Sequence, residues 1–227
     1  MDKPPHAQKA AQKQMTSAQV SGTEGYASEA EQLFLRYESI QATENHRHVL
    51  HLIPKAPARV LDIGSGTGRD AAWLASFGHR VIAVEPTDAL RILAMALHPS
   101  PLIEWLDDSL PDLVRLRARG ETFDLVMLTA VWMHLDQTQR QYAMPNLASL
   151  IGSGGTITMT IRHGPVPPAR RMFEIPAEET IALAQAHSLR CVLNVASESH
   201  QESNRAAGIT WTNLAFVKAD ASGSFSR

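Results

Sequence analysis

Cysteine is almost missing: the 227 residues contain one, Cys191. A single thiol excludes an internal disulfide framework and fits a reducing compartment. No apolar run approaches membrane-spanning length, and the start, Met1-Asp2-Lys3-Pro4-Pro5, has no signal-peptide core. Charge of one sign is lacking too. The 21 Lys and Arg nearly balance 23 Asp and Glu. There is no basic stripe, terminal arm or polybasic amphipathic stretch, so neither nucleic acid nor a membrane is an expected partner. Internal repeats are absent. What remains is the profile of a cytoplasmic protein with enough chain for one well-cored domain plus a tail or small cap.

The rest of the chain is organised around Arg59 to Asp70. The apolar strand Val60-Leu61-Asp62-Ile63 runs into Gly64-Ser65-Gly66-Thr67-Gly68, and Ala71, Trp73, Leu74 and Phe77 continue as a helix. A strand, a glycine turn and a helix start make a nucleotide-type pocket, because small residues let a ligand approach the backbone at the positive helix end. Asp62, two positions before the first glycine, would repel a pyrophosphate and favour a ligand carrying an ammonium or a sulfonium. Arg69 stands where a dinucleotide fingerprint requires Gly or Ala. The loop suits a cation.

Val60 to Gly68 resembles the first motif of the class I S-adenosylmethionine-dependent methyltransferases, and the similarity continues roughly from Tyr37 to Val217. It implies an α/β fold: a doubly wound, seven-stranded, mostly parallel sheet with an antiparallel last strand and an N-terminal helical cap. It also implies S-adenosylmethionine as cofactor and S-adenosylhomocysteine as product, lying over the carboxyl ends of the first three strands. Carried over position by position, the cofactor-binding candidates begin with Tyr37 in the cap and Asp62, Gly64, Ser65, Gly66, Gly68 and Asp70 around the first loop. Glu85 and Pro86 follow the second strand, Asp107, Asp108 and Ser109 the third, and Thr129, Ala130 and His134 the fourth. Glu85 suits two ribose hydroxyls, since a carboxylate can accept both hydrogen bonds. An acid after the third strand would accept from the adenine amino group. Asp108 is favoured there, with Asp107 open and one of the pair a turn or helix cap before Pro111.

The expected organisation is a disordered polar tail over 1–22, a helical cap over 23–57 and a catalytic domain over 58–227. Ala30, Leu33, Phe34, Tyr37 and Ile40 fall at helical spacing, and Val49, Leu50, Leu52 and Ile53 continue an apolar face until Pro54 and Pro57. His46, His48 and His51 read as solvated histidines, and no metal site is expected. Gly78 caps a helix ahead of the strand Val81 to Val84. Leu102 to Leu106, Phe123 to Leu128, Thr156 to Ile161, Cys191 to Val195 and Ile209 to Val217 read as the later strands, with Gly152 to Gly155 as the turn into the fifth. Asp136 and Gln139 form a capping box for a helix that Pro145 should kink or delay.

The acceptor side is individual. The chain lacks the Asn or Asp followed by two prolines and an aromatic that amino-methylating DNA and RNA enzymes carry, which argues against base methylation. His134 is a candidate general base or a residue packing on adenine. The loop Arg162 to Arg171, rich in proline and arginine, follows the fifth strand, where open α/β sheets place their sites. Arg162, His163, Arg170 and Arg171, with Tyr37 and Trp132, are the substrate-binding candidates, and His163 is a second catalytic one. Arginine forks suit a carboxylate or phosphate. The expected function is therefore methyl transfer to a small-molecule acceptor carrying negative charge. The alternatives are a non-catalytic cofactor-binding scaffold, a methyltransferase acting on protein or RNA, and an NAD-dependent oxidoreductase, the last disfavoured by Asp62.

Overall fold

The computed structural model describes residues 20–219. Most of the expected N-terminal tail, and residues 220–227 of the expected catalytic domain, lie outside the described residues. The cap begins with a 3-10 turn, Ala27–Glu29, followed by α1 (Ala30–Glu38), the one-turn α2 (Ala42–Asn45) and a second 3-10 turn, Leu50–Leu52. The apolar spacing suggests a longer helical face. Instead the Ser39 hydroxyl bonds back to the Arg36 carbonyl, Gln41 adopts extended backbone, and the chain restarts in short turns.

The remaining elements alternate: β1 (Arg59–Ile63), α3 (Arg69–Ser76), β2 (Arg80–Val84), α4 (Asp88–Leu97), β3 (Ile103–Leu106), α5 (Val114–Arg117) and β4 (Phe123–Leu128). Then follow α6 (Gln137–Leu150), β5 (Ile151–His163), α7 (Ala177–Gln185), β6 (Leu189–Glu198), α8 (Glu202–Ala206) and β7 (Thr210–Lys218). The seven strands form one sheet in the order β3-β2-β1-β4-β5-β7-β6. Strands β1 to β5 pair in parallel, and β7 runs antiparallel between β5 and β6. Strand order reverses between β1 and β4, and the crevice at their carboxyl ends is where such sheets take ligands. The central strands read as nearly continuous apolar runs because helices cover both faces. Val60, Leu61, Val84, Val126 and Leu128 are completely buried.

Local chemistry explains several boundaries. Asp136 accepts from the Gln139 amide while the Gln139 side chain accepts from the Asp136 amide, so α6 starts at Gln137 and runs through Pro145 without delay. Gly78, at φ +84°, closes the turn after α3 by donating to the Ala75 carbonyl at 2.9 Å. Gly152 to Gly155 belongs to β5 rather than to a turn, and the pairing shifts between Phe123 and Leu125. A Cβ at Gly155 would lie 3.0 Å from the Phe123 carbonyl oxygen, so the irregular pairing requires glycine there.

The 3-10 turn Trp132–His134 is pinned from below, where the fully buried Trp132 indole donates to Thr180 Oγ1 at 2.9 Å. Thr180→Val keeps the shape and removes the acceptor. It should cost about 1–3 kcal/mol in urea unfolding, the penalty of a buried unmatched donor; an unchanged midpoint would show the indole finding another partner. Among the described residues, no helix is long and apolar enough to cross a membrane.

Candidate active site

A cavity of about 340 Å³ opens over the carboxyl ends of β1, β2, β4 and β5. Of the expected cofactor residues, Tyr37, Asp62, Gly64, Ser65, Gly66, Asp70, Glu85, Pro86, Asp108, Ser109, Thr129, Ala130 and His134 line it. Gly68 and Asp107 stand apart. Gly68 sits at φ +80° ahead of α3, where a Cβ would lie 2.3 Å from the Trp105 ring. Asp107 turns outward towards Arg91 and Arg115, whereas Asp108 faces the cavity and accepts from the amides of Ser109 and Leu116 at 2.9 and 2.8 Å.

The glycine loop is stitched to β2. The amides of Gly64 and Ser65 both donate to the Val84 carbonyl, and the Gly66 amide donates to Glu85 Oε2 at 2.8 Å. Glu85 Oε1 accepts from the Thr87 amide at 2.7 Å. Burial raises the Glu85 pKa, opposed by those two amides. Gly64 needs its lack of a side chain, since at φ +67° a Cβ would fall 2.5 Å from Val131 Cγ2.

Asp62 is 1 % exposed, and its Oδ2 has no hydrogen-bond partner among the described residues. Burial first, and the Asp70 carboxylate second, push its pKa well above the ordinary value. Arg69, whose charge opposes that shift, is committed elsewhere. Its Nε donates to Asp70 Oδ1 at 2.8 Å and its Nη1 to the Tyr37 carbonyl at 3.1 Å. An incoming cation would relieve Asp62.

His46 corrects the expectation of a solvated residue. It is 3 % exposed, bonds Asp70 Oδ2 through Nε2 at 2.8 Å and stacks on Trp73, ring centres 5.5 Å apart. Its carboxylate partner comes 24 residues later, so local sequence gives no sign of it. Burial alone would raise the Asp70 pKa, but His46 and Arg69 outweigh that and hold it far below normal.

On the acceptor side, Arg162 and Arg170 line the cavity, while Trp132, His163 and Arg171 do not. Side chains alternate along a strand, so Thr160 and Arg162 of β5 face the cavity and His163 turns to the other side. There His163 bonds Glu174 and Thr212, at 2.5 and 2.8 Å. Among the described residues, Arg162 donates to the carbonyls of Gly164 and Pro165 alone, at 3.4 and 2.8 Å. Burial lowers its pKa. Arg170 pairs with Glu29 at 2.7 Å and lies over the Tyr26 ring at 4.2 Å, and Arg171 pairs with Asp136.

Tyr26 is the site residue the sequence reading missed. Its hydroxyl lies 3.0 Å from His134 Nε2. His134 Nδ1 lies 2.7 Å from the Arg171 carbonyl oxygen, which can only accept. The imidazole hydrogen therefore sits on Nδ1, and Nε2 accepts the Tyr26 hydroxyl. Burial lowers the His134 pKa and raises that of Tyr26, keeping both neutral. A segment from Val20 to Thr23 also lines the cavity, and a Cβ at Gly22 (φ +97°) would lie 3.1 Å from His134 Cβ. Glycines at 22 and 25 ahead of an aromatic were the available signal.

Fold and glycine loop together are similar to those of class I S-adenosylmethionine-dependent methyltransferases. Residues 61–159 match the family model described as "Methyltransferase domain". An uncharacterised methyltransferase of Mycobacterium tuberculosis is 29% identical over 107 residues, covering 47% of this chain and 40% of that protein. Glycine N-methyltransferase of Oryctolagus cuniculus is 26% identical, covering 66% of this chain and 59% of the relative. The chain thus spans between 40% and 59% of the length of these curated relatives. Among solved structures, Burkholderia thailandensis 1,6-didemethyltoxoflavin-N1-methyltransferase, with 1,6-didemethyltoxoflavin and S-adenosylhomocysteine bound, superposes at TM-score 0.65 with 20% identity, covering 86% of each chain.

Proposed function

We propose that the protein transfers the methyl group of S-adenosylmethionine to a small anionic acceptor and releases S-adenosylhomocysteine. The observation that carries this reading is the buried Asp62 carboxylate with an unmatched oxygen at the mouth of a glycine loop. The donor and acceptor set fits the cofactor: Asp62 for its cationic part, Glu85 for the ribose hydroxyls, Asp108 for the adenine amino group. The cofactor, when bound, supplies a methyl group already activated on a sulfonium.

The protein's share is then alignment and enclosure. The acceptor must sit about 3 Å from the methyl carbon and in line with the departing sulfur. Arg162, whose charge no carboxylate among the described residues pairs with, supports an anionic group on the acceptor. The Val20 to Tyr26 segment, held by His134 and Arg170, excludes water from the reacting atoms. Two of the similar proteins are named as N-methyltransferases, which supports a small acceptor here.

Calorimetry tests the reading. S-adenosylhomocysteine should bind and NAD should not. NAD affinity equal to or tighter than that for S-adenosylhomocysteine would overturn it, because Asp62 would then tolerate a pyrophosphate.

A further inference from the structure

Resting on the methyl-transfer reading, we propose that the atom methylated is an amine nitrogen, held by the Tyr26 oxygen while Tyr26 donates its own hydrogen to His134, with the acceptor's anionic group at Arg162.

The direction of the hydrogen bonds carries the assignment. The Arg171 carbonyl fixes the hydrogen of His134 on Nδ1, so Nε2 receives the Tyr26 hydroxyl hydrogen. The phenol oxygen then faces the cavity as an acceptor only. It has two lone pairs, which the Tyr37 hydroxyl and the Arg170 guanidinium approach, so an N–H of a ligand would take the place of Arg170, whose charge Glu29 still pairs. An amine anchored by one N–H keeps its lone pair free to point at the methyl carbon.

The same network is poorly suited to an oxygen nucleophile. An alcohol must lose its proton as it attacks, and the two members of this network are a phenol kept protonated and an imidazole that burial makes a weaker base. A neutral amine has no such need. The nitrogen lone pair forms the N–C bond while the C–S bond breaks with its electron pair staying on sulfur. The nitrogen becomes a methylammonium, and its extra proton leaves to solvent as the product departs.

The second anchor is Arg162. Of four arginines lining the cavity, Arg69 pairs with Asp70 and Arg170 with Glu29, and Arg36 on α1 is exposed, whereas the half-buried Arg162 meets backbone carbonyls and, among the described residues, no carboxylate. A half-buried guanidinium without a carboxylate is a site for one. Thr160, two residues earlier on the same face of β5, holds the Ala130 amide at 2.9 Å and so fixes the wall between the two anchors.

The experiment offers four amino anions, glycine, β-alanine, O-phosphoethanolamine and anthranilate. Each is paired with its hydroxy counterpart: glycolate, 3-hydroxypropionate, ethylene glycol monophosphate and salicylate. S-adenosylhomocysteine formation is followed, and mass spectrometry locates the methyl group. At least one amino anion should be methylated on nitrogen, about tenfold or more faster than its hydroxy partner. Methylation on oxygen at an equal or greater rate, or no transfer to any of the four, overturns the inference. Calorimetric S-adenosylhomocysteine binding in the same samples separates the two levels: if the cofactor product binds and nitrogen is not methylated, only this inference falls, and if it does not bind, the methyl-transfer reading falls as well.

Two variants assign the anchors. Tyr26→Phe keeps the ring beneath Arg170 and should lower kcat roughly tenfold. Arg162→Gln should raise KM for the amino anion and narrow the gap to ethanolamine, which lacks the anion. A kcat unchanged in the first variant, or an unchanged gap in the second, would remove that residue from the assignment.

Discussion

Asp62→Asn should make the ligand-free protein more resistant to heat and, at the same time, weaken S-adenosylhomocysteine binding by roughly 10- to 100-fold. The two effects share one cause. A buried carboxylate with an unmatched oxygen, close to Asp70 and Glu85, destabilises the empty fold and is what a cationic ligand relieves. Its folded pKa is raised, so the destabilisation is absent below the unfolded value of about 3.9 and grows as pH rises from there. The variant's thermal advantage should therefore be small near pH 4 and widen towards about pH 7. Scanning calorimetry across that range, with titration calorimetry at its upper end, measures both. A less stable variant, or one that binds as tightly as the parent, would assign Asp62 a purely structural role.

The second large effect is expected at the cluster beneath the loop. Asp70 takes His46 Nε2 and Arg69 Nε, each at 2.8 Å, and thereby ties the cap to α3. Asp70→Ala leaves a guanidinium and an imidazole buried without their carboxylate, a change that typically costs about 3–5 kcal/mol. Against a total stability of about 5–15 kcal/mol, that is a large share. The pKa of Asp70 is depressed, so its contribution is present above the unfolded value and is lost as pH falls towards the folded one. The urea midpoint of the parent should drop steeply below about pH 4, and that of the variant should be lower throughout and flatter in acid. If the two proteins unfold at the same urea concentration at neutral pH, the cluster is not what holds the cap.

Much of this was legible before any coordinates, and the reasons are local. Apolar runs bounded by Gly, Pro and Asp located β1, β2 and β4 to within a residue, because fully covered parallel strands carry continuous apolar sequence. The capping box at Asp136 and Gln139 depends on residues three apart and was readable for the same reason. Features that depend on distant partners were not. His46 needs Asp70, and the short turns after α1 follow from packing that helical spacing does not encode. The cavity residues of β5 follow from its alternation, but which of Arg162 and His163 faces inward depends on register with β7, where Arg162 pairs with Trp211 and His163 with Thr210. Tyr26 was hidden by a polar neighbourhood that resembles a tail; its partner, His134, lies 108 residues away.

That register also limits how the protein can change its acceptor. Arg162 and His163 are adjacent in sequence yet stand on opposite sides of the sheet, so deleting one residue upstream in β5 would present an imidazole where a guanidinium now stands, and inserting one would present the side chain of Ile161. The same shift would turn Ile157, Met159 and Ile161 over to the other face, undoing a core in which all three are buried. Indel mutations in this strand are thus closed to selection as a route to new specificity. Divergence at the acceptor pocket must proceed by point replacement at positions 160 and 162, or through the connection between β6 and β7, where length can vary without moving any strand.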